Sequence, residues 1–182
     1  MDRVYLFLAE GFEDIEALAV VDILRRGNVP VQTVSITDTL SVKSAHGVSV
    51  QADILLKEVE AGNAACLICP GGLPGASNLG DCKSLIGLLQ QQYDKGGLVA
   101  AICAAPALVL SQLSIRKRHS VTCYPGFEAH LPAYDVTAEG VVVDDNVITG
   151  KGPGFAIPFG LKILEELTSP EVAREVAGGM LL

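Results

Sequence analysis

A chain of 182 residues with 49% hydrophobic side chains, only 5% aromatic ones and a formal charge of −8 suits an α/β core built of Val, Ile, Leu and Ala, not a disordered or disulfide-dense chain. The acidic balance, without a basic stripe or interleaved aromatics, makes nucleic acid and anionic membrane surfaces poor partners. The first apolar run is too short for a secretory signal, no stretch approaches a membrane span of ~20 residues, and the odd count of five cysteines points to reduced thiols, so a cytoplasmic protein with one domain over residues 1–182 is expected.

Residues 4–9 are a continuous apolar run closed by Glu10-Gly11, the pattern of a parallel strand buried on both faces. Residues 14–26 carry Ile15, Leu18, Ala19 and Ile23 at helical spacing, widened by Val20, Val21 and Leu24, and end in arginines before Gly27. This predicts a helix covered on two sides. Asp22 shares the face of Ile15 and Leu18 and needs a polar partner, for which Arg26 at i+4 is a candidate. A second strand follows over 31–36. Val42, Val48 and Val50 around Ala45-His46-Gly47 predict a short hairpin within 41–52, suited to an edge or an interface.

Residues 64–69 read as another buried strand, which runs into the loop Pro70-Gly-Gly-Leu-Pro-Gly-Ala-Ser-Asn-Leu-Gly, and a helix is predicted over 84–93. The next segment concentrates the chemistry. Residues 98–102 are a short apolar run of strand length, and residues 104–113 are rich in helix formers with Pro106 in the first turn, where a missing N–H costs little. Cys103 therefore sits at a strand-to-helix corner beside unpaired helix N–H groups. Those donors and the helix dipole stabilise an anion, so the thiol is expected to ionise below the ordinary cysteine value of about 8.5.

A strand over 120–123 ends at Tyr124-Pro-Gly, and residues 141–149 read as two arms of a hairpin around Asp145-Asn146. A helix over 155–167 accommodates Pro158 in its first turn, and Ser169-Pro-Glu caps a last helix to about 177. Alternating strands and helices predict a doubly wound, mostly parallel sheet in a three-layer sandwich. Ligands bind such sheets beyond the carboxyl ends of the strands, where loops 10–14, 70–75 and 103–104 all fall.

Glu13 and Glu16 flank the start of the first helix. Acidic residues there offset the helix dipole; alternatively, one carboxyl lies beside the Cys103 sulfur, kept protonated by burial so that it donates to a thiolate and shuttles a proton. Gly71 and Gly72 make a tight turn, and such a turn lets backbone N–H groups, with that of Ala104, form an oxyanion hole. This loop lacks the lysine of a phosphate-binding loop and the full dinucleotide fingerprint. Cys66 and Cys69, three apart in a strand, point to opposite faces and read as ordinary buried residues. Cys82 and Cys123 are single, and His46, His119 and His130 are scattered without metal spacing, so no metal and no cofactor are expected. His119, after Arg116-Lys-Arg, and His130 both read as solvated; His46 lies at the hairpin tip, where it could face a partner subunit.

Gly11-Phe-Glu-Asp-Ile-Glu, Pro70-Gly-Gly with Asn78-Leu, Ala100-Ala-Ile-Cys-Ala-Ala-Pro and Gly152-Pro-Gly, in this order and spacing, resemble the ThiJ/PfpI superfamily, most of all the ThiJ branch that includes a human parkinsonism-associated protein. The resemblance covers nearly the whole chain. It implies a flavodoxin-like sandwich with a nucleophile elbow at Cys103, a homodimer, and an oxidation-sensitive cysteine hydrogen-bonded to a protonated Glu16. It also implies cofactor-independent glyoxalase or deglycase chemistry on methylglyoxal, related dicarbonyls or glycated protein, or alternatively an oxidation-sensing, stress-protective or chaperone-like role with little turnover. Peptidase and thiamine-pathway roles also occur in the superfamily. The protease-like branch has a histidine where this chain has Ala104, which lowers the peptidase reading. The human-like branch has a pocket histidine where this chain places Tyr124, a poor base near neutral pH, so turnover is expected to be slower or to lean on Glu16.

Overall fold

The computed structural model describes residues 3–182; Met1 and Asp2 lie outside the described residues. In chain order the strands and α-helices are β1 (Arg3–Leu8), α1 (Asp14–Arg26), β2 (Val31–Ser35), β3 (Ser41–Lys43), β4 (Ser49–Gln51), β5 (Ile54–Leu55), β6 (Ala64–Cys69), α2 (Gly75–Asp81), α3 (Lys83–Asp94), β7 (Leu98–Ile102), α4 (Ala105–Leu108), β8 (Ser120–Val121), β9 (Asp135–Val136), β10 (Val141–Asp144), β11 (Val147–Gly150), α5 (Ala156–Leu167) and α6 (Pro170–Gly179).

Seven strands form the central sheet in the order β10-β11-β7-β6-β1-β2-β5. Every pairing in it is parallel except the β10–β11 hairpin at one edge. The runs of Val, Leu, Ile and Ala in β1, β6 and β7 are buried almost without interruption, because helices cover both faces of the sheet. Helices α1 and α5 pack together, and Gly27 and Gly160 permit it: a Cβ at Gly27 would stand 2.3 Å from a Leu164 methyl, and one at Gly160 2.8 Å from an Ile23 methyl. The chain leaves β1 toward β2 on one side and returns to β6 and β7 on the other. The topological switch point lies at the carboxyl ends of β1, β6 and β7.

Helix α1 has the expected extent but not the expected stripe. Its buried face is Glu16, Ala17, Val20, Val21, Ile23 and Leu24, whereas Ile15 and Leu18 are exposed. Asp22 lies on that open side and accepts from Arg26 Nε at 2.7 Å. The predicted hairpin exists as β3–β4 but forms its own small sheet instead of an edge of the main one. Residues 120–123 likewise miss the central sheet: β8 pairs with β9 in a separate two-stranded sheet. Helix α2 occupies part of what reads as loop, because Pro74, Gly75 and Gly80 are poor helix formers. Packing overrides that preference: a Cβ at Gly80 would stand 2.4 Å from the Leu108 carbonyl oxygen, so only glycine admits the contact between α2 and α4.

The predicted helix after Cys103 is much shorter than its composition suggests. The α-helix is a single turn, Ala105–Leu108, and a 3-10 turn over Leu110–Gln112 follows it. No helix among the described residues is long and apolar enough to cross a membrane.

Candidate active site

Cys103 leaves β7 with φ at 66°, a left-handed conformation that few non-glycine residues adopt. The turn is held from both sides: its N–H donates to the Gly150 carbonyl at 2.9 Å, and its carbonyl accepts from the Tyr124 N–H at 2.8 Å. This is the elbow expected from the sequence, and it aims the thiol into the corner where the loops after β1 and β6 converge. The side chain is buried, with 8% of its surface exposed.

Glu16 supplies the carboxyl. The N-cap of α1 is Glu13, whose Oε2 accepts from the Glu16 N–H at 2.8 Å, and the first turn so fixed directs Glu16 inward to complete burial. Its Oε2 accepts from the Gly71 N–H at 2.8 Å. Its Oε1 is buried without an N–H or O–H donor among the described residues, and the Cys103 thiol is the side-chain group that hydrogen-bonds to the carboxyl. The contact depends on Gly71, where an added Cβ would lie 2.6 Å from both Cys103 Cβ and Glu16 Oε2. Gly72 follows with φ at 87°, packed so closely on the Gly11–Glu13 backbone that a Cβ would stand 2.5 Å from Glu13 N. The N–H groups of Gly72 and Ala104 both donate toward the Cys103 sulfur.

Electrostatics correct the expectation of an acidic thiol. Burial raises Glu16 from the ordinary carboxyl value to about 7, with the charge of Glu13 adding to it. Burial, the negative charge of Glu16 and the hydrogen bond to it push Cys103 up to about 12, against the opposing pull of the Gly72 and Ala104 N–H groups. The physical reason is twofold. A one-turn helix carries little dipole, and a carboxylate and a thiolate in one dry corner repel each other, so the pair keeps a proton between them. The thiolate is reached by transfer of that proton to Glu16.

The structure brings Cys103, Glu16, Gly72 and Ala104 into one cluster, with Glu13 behind Glu16. Tyr124 joins it through its backbone, while its ring is 46% exposed and packs edge-on to Phe127 at 6.5 Å. His119 corrects the sequence reading: it is fully buried and bonded through Nε2 to the Tyr93 hydroxyl at 2.8 Å. His46 stays at the hairpin tip, where its Nδ1 lies 2.8 Å from Asp14 Oδ2 and 4.0 Å from Glu13 Oε1. Ser44 Oγ donates to the other Asp14 oxygen, so the hairpin is latched to the start of α1. Glu13, Asp14 and His46 thus place ligand-type atoms within 4.8 Å of one another, a grouping that spacing of 32 residues conceals.

A doubly wound sheet that presents a cysteine on a left-handed elbow, against a buried carboxyl and two backbone N–H groups, defines an α/β protein built around a chemically addressed thiol. The chain belongs to the DJ-1/PfpI family, whose model matches residues 2–166. It is 39% identical over 181 residues to protein dj-1beta of Drosophila melanogaster, covering 97% of this chain and 95% of that one. It is 38% identical over 164 residues to the glutathione-independent glyoxalase DJR-1.2 of Caenorhabditis elegans, covering 89% and 86%. Against DJ-1 homologs B and A of Arabidopsis thaliana it is 35% identical over 181 residues and 37% identical over 177, with 99% and 96% of this chain matched. It spans less than half of their length, 41% and 45%. Among solved structures, oxidized Toxoplasma gondii DJ-1 superposes with a TM-score of 0.93 at 36% identity, covering 100% of this chain and 98% of that one.

Proposed function

We propose that this protein is a cofactor-independent glyoxalase of the DJ-1/PfpI family, a cytoplasmic enzyme whose residues 1–182 form one domain and which converts methylglyoxal and related dicarbonyls, free or as early adducts on proteins, through Cys103. The observation that carries the reading is the sharing of one buried corner by the Cys103 thiol, the Glu16 carboxyl and the Gly72 and Ala104 N–H groups. The likeness to a relative named as a glutathione-independent glyoxalase supports it.

In this reaction the Cys103 sulfur adds to the aldehyde carbon of methylglyoxal while Glu16 takes the thiol proton and passes it to the new alkoxide, which the Gly72 and Ala104 N–H groups stabilise. Glu16, again ionised, removes the hydrogen from that carbon as a proton, and the hydroxyl proton passes to the neighbouring ketone oxygen to give an enediol. Glu16 then returns its proton to the former ketone carbon as the first oxygen becomes a carbonyl. The first carbon is thereby oxidised to a thioester and the second reduced to an alcohol. Water then cleaves the thioester, releasing lactate and restoring the thiol. Glu16 acts alternately as base and as acid, two roles its value near 7 suits at neutral pH. Purified protein given methylglyoxal without glutathione or metal should yield lactate, and yields no greater than those of Cys103→Ser would defeat the reading.

Oxidation of the same sulfur is the second reading, and one feature favours it: the donors that serve an alkoxide also fit the oxygens of a sulfinate, with a protonated Glu16 as a third donor. Mild peroxide should then modify Cys103 ahead of Cys66, Cys69, Cys82 and Cys123, read by mass spectrometry. A second copy of the chain is the proposed partner of the exposed Ile15, Leu18 and Val48 side chains on α1 and the hairpin.

A further inference from the structure

Beside the elbow lies a slot of about 250 Å³ whose walls are Tyr124, Pro125, Pro153 and Phe155, with Gly152, Gly154 and Lys151 completing it. Both wall segments are tied to Cys103: one starts at Tyr124, whose N–H donates to the Cys103 carbonyl, and the other follows Gly150, whose carbonyl accepts from the Cys103 N–H. The Lys151 ammonium is held by the Ala138 carbonyl at 3.0 Å, so the slot keeps an apolar character beside a polar reaction corner.

Its aromatic walls are braced before any ligand arrives. Phe155 packs so tightly on Gly140 that a Cβ there would stand 2.1 Å from the ring, and the Tyr124 ring would meet a Cβ on Gly152 at 3.2 Å. Even so, Tyr124 and Phe155 remain 46% and 39% exposed. Two partly exposed aromatic faces on a fixed frame, one strand-end away from the nucleophile, offer apolar area that a methyl group is too small to cover.

We propose that this slot receives the side group of the substrate, and that the enzyme prefers 2-oxoaldehydes bearing an aromatic ring to methylglyoxal. The proposal rests on the glyoxalase reading. Phenylglyoxal would follow the same course: sulfur adds to the aldehyde carbon, that carbon is oxidised to a thioester while the ketone carbon is reduced, and water releases mandelate. The ring would lie between Tyr124 and Phe155 throughout, so its burial acts on every step and is read in kcat/KM.

The experiment compares kcat/KM for phenylglyoxal and methylglyoxal in the wild type and in Phe155→Ala, with Phe155→Leu as a variant that keeps bulk against Gly140. Circular dichroism checks the fold of each. Binding of mandelate and lactate to the same proteins is measured by calorimetry. Expected are a preference for phenylglyoxal of about tenfold or more in the wild type and its loss in both variants. Equal rates, or a preference for methylglyoxal, would overturn the slot while leaving the glyoxalase reading intact. If neither substrate turns over, tighter binding of mandelate than lactate, weakened in Phe155→Leu, would uphold the slot and remove the glyoxalase reading. Absence of turnover and of any mandelate preference would overturn both.

Discussion

Glu16→Gln removes a buried charge while keeping the shape of the side chain and its acceptor for the Gly71 N–H. Burial raises the Glu16 carboxyl from 4.5 to about 7. At about 1.4 kcal/mol per pKa unit, ionised Glu16 costs the folded state about 3 kcal/mol. The sign follows from which state holds the proton more tightly. The folded-state value lies above the unfolded one, so the cost is absent below about pH 4.5, grows as pH rises, and is complete above about pH 7. The variant should therefore be more stable than the wild type at pH 8 by up to about 3 kcal/mol and no more stable at pH 4.5. In a chain of this size that corresponds to about 6–12 °C in melting temperature at pH 8. Urea or thermal melts at both pH values and one fixed protein concentration measure the double difference. A Glu16→Gln advantage that is absent at pH 8, or equal at the two pH values, would refute the assignment of Glu16 as a desolvated, charge-bearing group.

The same pair predicts that alkylation of Cys103 by iodoacetamide accelerates as pH rises through about 7, when Glu16 becomes able to accept the thiol proton, and that Glu16→Gln loses this limb; mass-resolved rates would show it. Gly71→Ala should abolish lactate formation and cost about 1–3 kcal/mol in denaturant melts, since its Cβ would intrude on both Cys103 and Glu16. If the proposed dimer forms through the open apolar face of α1, the wild type should scatter light as a dimer and Ile15→Glu combined with Leu18→Glu, which charges that face, as a monomer. Tyr93→Phe should cost about 1–3 kcal/mol in denaturant melts by leaving His119 Nε2 and the Arg116 N–H without their partner, yet leave alkylation of Cys103 unchanged.

Much of this molecule is legible from local pattern. Continuous apolar runs mark β1, β6 and β7 because strands buried on both faces tolerate little else, and the strand–Cys–Pro-containing helix signature marks the elbow because backbone sterics and the missing proline N–H act within a few residues. The family likeness then links Glu16 to Cys103 across 87 positions, which periodicity alone does not. Tertiary structure decided the rest. Which side of α1 is buried depended on where α5 packs, so Ile15 and Leu18 proved exposed. That α2 is helical depended on contact with α4, against the propensity of its glycines and proline. His119, set among cationic neighbours in the sequence, is buried because Tyr93, 26 residues earlier, offers it a hydroxyl. The protonation of Cys103 was decided last of all. Local reading supplied the N–H donors that favour a thiolate, but only the folded corner brings in the desolvation and the Glu16 charge that outweigh them. Electrostatic energy depends on distance and burial in space, and the chain fixes neither until it has folded.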